Sequence, residues 1–226
     1  MGLKVVMGQR LLRANDEAAR ENRARFATKG IFAVNLISSP GTGKTTLLEQ
    51  TIRRMRDAYK IGVIEGDIYT TRDARRIADQ GVEVVQINTA GVCHLDAPMI
   101  ARSFEELEGD HYDLLFIENV GNLVCPAEFD LGEDAKVALL SVTEGGDKPA
   151  KYPLVFREAQ AVVVTKADLL PYTDFDLESV EKELNAISPE IGILVVSAKT
   201  GEGIKEWCRW LEERVLQKRA TKSATD

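Results

Sequence analysis

The segment Ser38-Ser-Pro-Gly-Thr-Gly-Lys-Thr45 is built for chemistry on phosphate. The pattern G-x-x-x-x-G-K-[ST] is met at Gly43, Lys44 and Thr45, with Gly41 inside the loop. Ser38 stands where the pattern has its first Gly. Small residues let the backbone curl until successive N–H groups face an anion. A helix opening near Lys44 would add its N-terminal dipole. The candidate phosphate contacts are Gly41, Thr42, Gly43, Lys44, Thr45 and Thr46. Lys44 is expected to reach the β- and γ-phosphates, and the Thr45 hydroxyl a Mg²⁺ ion.

Base and switch candidates follow along the chain. Thr165-Lys-Ala-Asp168 resembles the guanine motif N-K-x-D of GTPases, with Thr for Asn. A carboxylate at Asp168 can accept from N1–H and N2–H of guanine, whereas adenine offers an acceptor at N1. The Lys166 stem can lie along the base, and Ser197-Ala198-Lys199 resembles the S-A-K motif that touches guanine O6. Glu118-Asn-Val-Gly121 resembles the D-x-x-G switch with Glu for Asp. There Glu118 would hold Mg²⁺ and Gly121 would offer an N–H to the γ-phosphate. Asp67 is either a contact to Mg²⁺ or the attacking water, or a turn acid. Lys44, Asp67, Glu118 and Gly121 are thus the catalytic candidates, and Thr45, Asp67 and Glu118 the magnesium ligands. No Gln stands where Ras-like enzymes position water, so slow intrinsic hydrolysis is expected.

Cys93 and His94 are adjacent, and Cys125 follows Glu118 by seven residues. Two thiolates and an imidazole suit Ni²⁺ or Zn²⁺. Adjacent strands would bring the two loops together at one sheet edge. A fourth ligand could be water, Asp96, a backbone nitrogen or a thiolate of a second subunit; alternatively the cysteines only pack. Cys208, between Trp207 and Trp210, is read as packing. Lys148, in the loop Gly145–Pro149, could reach a phosphate or an interface carboxylate across a dimer.

These groups need strand ends and helix starts to hold them. Continuous apolar runs at Ile31–Ile37, Ile61–Ile64, Val82–Ile87, Asp113–Glu118, Lys136–Val142, Ala161–Thr165 and Ile191–Ser197 read as strands. Helical patterns at Lys44–Tyr59, Thr71–Gln80, Ala97–Glu108, Pro153–Glu158, Phe175–Ile187 and Ile204–Lys218 lie between or after them. This alternation predicts a doubly wound α/β domain with a mostly parallel sheet and ligands at the carboxyl ends of its strands. Before it, Met7–Thr28 reads as a polar helix. The first thirty residues hold seven Lys/Arg against three acids, so this helix is a partner-docking arm, a brace on its own domain or simply a solvated face. The expected division is a helical arm over 1–29, a nucleotide domain with the metal site over 30–218 and a disordered tail over 219–226.

The chain of 226 residues has a hydrophobic fraction of 44 %, a charged fraction of 29 % and a net charge of −7. That balance excludes a largely disordered chain and disfavours nucleic acid or an anionic membrane as partner. No apolar run of ~18 residues could span a membrane. Three cysteines without an export signal point to a reducing cytoplasm.

The chain resembles the HypB GTPases, which help deliver nickel during [NiFe]-hydrogenase maturation. The resemblance rests on Ser38–Thr46, Glu65-Gly-Asp-Ile68, Gly91-Val-Cys-His-Leu95, Glu118–Pro126 with Phe129-Asp-Leu-Gly132, Glu144-Gly-Gly-Asp-Lys-Pro149 and the Lys166/Asp168 pair. It implies a P-loop GTPase of the SIMIBI kind that hydrolyses GTP to GDP and phosphate. It also implies a homodimer with facing nucleotide edges and a metal site at Cys93, His94 and Cys125. The implied partners are a HypA-type nickel metallochaperone, met through the N-terminal arm, and the hydrogenase large-subunit precursor. With no Cys before Cys93 and only His94 and His111, the chain resembles a minimal transfer form rather than a storage form. The alternatives are a urease-type nickel-insertion GTPase and a GTP-gated binding module that moves no metal.

Overall fold

A computed structural model describes residues 7–109 and 111–223. Seven strands form one sheet in the order β3-β2-β4-β1-β5-β6-β7. They are β1 (Phe32–Ser38), β2 (Ile61–Asp67), β3 (Glu83–Asn88), β4 (Leu114–Glu118), β5 (Ala135–Ser141), β6 (Ala161–Thr165) and β7 (Gly192–Val195). Every neighbouring pair is parallel, so the mostly parallel expectation becomes a wholly parallel sheet. Both faces are covered, which is why the strands read as continuous apolar runs rather than alternating ones.

On one face Val34 and Leu36 of β1 pack with Leu47, Leu48 and Ile52 of α2 (Lys44–Met55) and Trp207 and Leu211 of α9 (Ile204–Ser223). On the other, Ile37 packs with α7 (Pro153–Glu158) and α8 (Leu177–Ile187), and Ala33 with α1 (Met7–Lys29) and α4 (Ala97–Glu105). The remaining helices are α3 (Arg72–Ala78), α5 (Cys125–Glu128) and α6 (Lys148–Lys151). The last two span four residues each, too short to show a helical period in sequence. A 3-10 turn over Ala167–Tyr172, with Pro171 inside it, has three residues per turn and shows no α-helical period either.

The expected boundary between arm and body at 29/30 is no break in packing. Phe26 of α1 is buried in one core with Ile31, Ile64 and Phe104. Asn22 Nδ2 donates to the carbonyls of Ala97 and Leu131, each at 2.9 Å, and Arg23 pairs with Asp130 at 2.6 Å. Gly132, at φ +88°, lies where a Cβ would stand 2.6 Å from the Ala19 carbonyl and 2.9 Å from the Arg23 nitrogen. Only glycine takes both that backbone angle and that approach. Within the described residues this helix is therefore a brace on its own domain.

The expected disordered tail is also corrected. Helix α9 continues past Lys218 to Ser223, and residues 224–226 lie outside the described residues. Lys218 reaches Asp134 at 2.5 Å and Arg219 pairs with Asp113, tying the last turns to the starts of β5 and β4. Cys208 is buried beside the stacked Trp207 and Trp210, and burial pushes its thiol up to about 11. That is the packing role its position suggested. Among the described residues no helix is long and apolar enough to cross a membrane.

Candidate nucleotide and metal site

β1 lies between β4 and β5, so the chain departs in opposite directions from its two flanks. Ligands bind at such switch points in doubly wound sheets, and the Ser38–Thr45 loop leaves β1 there. Gly43 takes φ +101°, which aims the loop into α2. Lys44 Nζ donates to Ser38 Oγ at 2.9 Å. The residue that replaces the first Gly of the pattern thus holds the loop lysine. Burial lowers the Lys44 pKa, opposed by the charges of Glu118, Asp73, Glu144 and Glu65.

Thr45 Oγ1 donates to Glu118 Oε1 at 2.7 Å. Glu65 stands opposite Glu118 in the β2–β4 register, and both are almost fully buried. Each keeps one buried oxygen, Oε2, with no hydrogen-bond partner. Both side chains line a cavity of about 560 Å³ together with Lys44, Thr45, Asp67 and Gly121. Burial pushes the Glu65 carboxyl up to about 8, helped by the charge of Glu118. Burial likewise pushes Glu118 up to about 7 against the pull of Lys44 and Thr45. Orphaned carboxylate oxygens beside a hydroxyl form a hard oxygen set that fits Mg²⁺. Of the two readings of Asp67, the hydrogen bonds favour the turn acid. Its Oδ1 accepts from the N–H groups of Tyr69 at 2.7 Å and Thr70 at 2.6 Å. Glu65 was missed as a site residue; its signal was a carboxylate inside an apolar strand.

The base-side residues also converge. Asp168, Lys166, Thr42, Gly43, Thr46, Ala198 and Lys199 line a second cavity of about 220 Å³. Asp168 Oδ1 accepts from Ser197 Oγ at 2.6 Å, which fixes the carboxylate. Thr165 Oγ1 donates to the Thr42 carbonyl at 2.7 Å, and Lys166 Nζ to the Gly41 carbonyl at 2.8 Å. Thr in place of Asn therefore still ties the base loop to the phosphate loop. Gly121 packs against that loop: a Cβ would meet Pro40 Cα at 3.0 Å. Lys148 opens α6 and lies 5.5 Å from the Tyr152 ring.

Cys93, His94 and Cys125 come together, with their donor atoms all within 4.8 Å of one another. The two sulfurs are 3.2 Å apart, and Cys125 titrates high mainly because of that contact. His94 stacks on Phe129 at 4.0 Å, and its Nδ1 is buried without a partner. Burial lowers the His94 pKa, which favours the neutral imidazole a metal needs. The strands behind the two loops are not adjacent as expected. β2 separates β3 from β4, and the loops meet above its end. Asp96 is not in the cluster; it caps α4 by accepting from Met99 N at 2.8 Å.

The parallel sheet, the phosphate loop at its switch point and the paired base loops define a protein of the P-loop GTPase fold. Residues 32–195 match the family model described as CobW/HypB/UreG, nucleotide-binding domain. The chain is 53 % identical over 210 residues to the hydrogenase maturation factor HypB of Azotobacter chroococcum, covering 93 % of this chain and 69 % of that one. The crystal structure of HypB from Helicobacter pylori in complex with nickel superimposes with a TM-score of 0.86 at 39 % identity, covering 90 % of this chain and 96 % of that one. HypB from Archaeoglobus fulgidus gives 0.85 at 39 % identity, over 90 % and 100 % of the two chains. The chain belongs to the HypB family.

Proposed function

We propose that this protein hydrolyses GTP to GDP and phosphate, and that the cycle governs nickel delivery to the large-subunit precursor of a [NiFe]-hydrogenase in the cytoplasm. The observation that carries the reading is the juxtaposition of Cys93, His94 and Cys125 with a peptide that begins at the phosphate site with Glu118. The names of the relatives and the nickel complex of one of them support it. In the working assembly two subunits face each other across the nucleotide, a thiolate of the second completing the metal set and Lys148 acting across the interface. A HypA-type metallochaperone, contacted through the N-terminal segment, brings the nickel. Zinc can take the same three donors.

Lys44 spreads one positive charge over the β- and γ-phosphates. The Thr45 hydroxyl with the Glu118 and Glu65 carboxylates would hold Mg²⁺, and Asp67 lines the same cavity; the ion supplies neutralisation of charge that develops on the phosphate oxygens. Gly121 offers its N–H to the γ-phosphate from a position against Pro40. Asp168 reads the guanine edge. Asp168→Asn is expected to shift preference from guanine to xanthine nucleotides, because an amide can donate to the xanthine oxygen. Competition between GTP and XTP measures this. Hydrolysis of ATP as fast as GTP by the wild type would remove the guanine assignment.

The nickel reading is tested by equilibrium dialysis of Ni²⁺ with the wild type and Cys125→Ala, each with GDP and with a non-hydrolysable GTP analogue. The wild type should bind one equivalent per site with different affinities in the two states, and the variant should lose it. Linkage requires nickel to change the preference for GTP over GDP by the same factor, and couplings of ~1–3 kcal/mol are typical. Equal affinities in both states at matched protein concentration would remove the switch. Unchanged binding by Cys125→Ala would remove Cys125 from the metal set, and no binding by either protein would leave a GTP-gated module without metal transfer.

A further inference from the structure

The Cys93–His94 pair is gripped on both sides by the segment that follows β4. Leu95 N donates to Asn119 Oδ1 at 3.2 Å, immediately after His94. Asn122 Nδ2 donates to the Cys93 carbonyl at 3.2 Å. Each asparagine is itself fixed. Asn119 is 1 % exposed; its Oδ1 also accepts from Val120 N at 3.0 Å, and its Nδ2 donates to Asn35 Oδ1 at 3.2 Å. Asn35 in turn donates to the buried Glu133 at 3.1 Å. Asn122 Oδ1 accepts from Val124 N at 2.9 Å, one residue before Cys125. Below the loop, Leu95 is fully buried and seated on Gly66, where a Cβ would come within 2.8 Å of its side chain. Asn122 spends its nitrogen on the metal loop and its oxygen on its own peptide, while Asn119 turns its oxygen to the metal loop and anchors its nitrogen on Asn35. An amide carries donor and acceptor together, as neither a carboxylate nor an aliphatic side chain does.

We propose that Asn119 and Asn122 are positioning residues of the metal site, clamping Cys93 and His94 to the peptide that carries Cys125 so that the three donors are assembled before the metal arrives. The proposal rests on the reading that these three residues bind nickel. Without the clamp two ligands sit on a free loop, and metal binding must also order that loop, which costs conformational entropy. Outer-shell contacts that orient ligands typically change metal affinity by about 10–100-fold. The clamp acts through the backbone, at Cys93 itself and at Leu95 next to His94, so the lower figure applies.

The test uses the full chain, Ni²⁺ as the probe and two readouts, equilibrium dialysis and the thiolate-to-nickel charge-transfer band. Asn122→Ala removes the contact to Cys93 at a half-buried surface position, and Asn119→Leu removes the contact to Leu95 in the interior. Asn122→Ala is expected to bind nickel about tenfold more weakly, with a shifted or broadened band, since both sulfurs lose their fixed separation. Asn119→Leu should do the same if its thermal transition stays cooperative; if it does not fold, Asn122→Ala decides alone. Wild-type affinity and band shape in Asn122→Ala, while Cys125→Ala loses nickel, would overturn the clamp and leave the metal site standing. Wild-type nickel binding by Cys125→Ala would overturn the metal reading, and the clamp with it.

Discussion

Lys44→Ala is expected to slow GTP hydrolysis by about 10²–10³-fold, the scale for removing one preorganised charge-stabilising donor, and to weaken nucleotide binding as well. Lys44 is the single cation buried within the phosphate loop, and its ammonium already faces the charges of Glu118, Asp73, Glu144 and Glu65. In the variant Asp73, which lines the same cavity, faces the triphosphate without that cation, so repulsion adds to the lost attraction. Lys44→Arg should not restore activity, because a planar guanidinium is too large for the space a loop lysine fills. Single-turnover hydrolysis and fluorescence titration with a labelled nucleotide measure the two losses. The thermal transition of the nucleotide-free variant, recorded alongside, separates lost chemistry from lost fold. Near-normal turnover would show that the loop Ser38–Thr45 is not the phosphate site.

Glu65→Gln is expected to act in opposite directions on stability and on Mg²⁺. Glu65 is raised from an ordinary 4.5 to about 8, and Glu118 to about 7. Both therefore hold protons in the folded chain at pH values where the unfolded chain has released them. The folded state binds more protons between about pH 5 and 8, so stability falls as pH rises through that window. Glu65→Gln keeps the shape of the side chain and removes the charge. One pH unit of displacement is worth ~1.4 kcal/mol, and the two carboxyls share the burden. A gain on the order of 2 kcal/mol at pH 8 follows, about 5 °C in Tm for a domain of this size, shrinking towards pH 5. The same change removes an oxygen from the hard donor set, so the Mg²⁺ concentration that half-restores nucleotide affinity should rise about tenfold, ~1.4 kcal/mol. Melting curves without nucleotide or magnesium at pH 5 and pH 8, with a magnesium titration, read both effects. A Tm that does not move at pH 8 would mean that the Glu65 charge is already matched by solvent or a neighbour.

The sequence alone determined the parallel sheet, the phosphate loop and the base motif, because each is written in local terms. Seven apolar runs state their own burial on both faces, and Gly43-Lys44-Thr45 states its own turn and charge. Cys93, His94 and Cys125 were legible as ligand types, and the structure brings their donors within 4.8 Å. What the sequence could not supply was the set of contacts made across large separations. Glu65 reads as one acid in a strand until β2 is laid beside β4, where it faces Glu118 and loses its access to water. Asp67, two residues on, looked the better ligand, yet its Oδ1 is engaged by the backbone of its own turn. Helix α1 looked like an arm because its basic residues outnumber its acidic ones. Phe26 joins a core of the body, and Asn22 and the room left at Gly132 tie the helix to positions more than seventy residues away. The asparagines at 119 and 122 carry no charge and no periodic signal. Only the crossing of the loops above β2 gives their amides something to hold, since burial and hydrogen-bond partners are properties of the assembled layers and not of any stretch of chain.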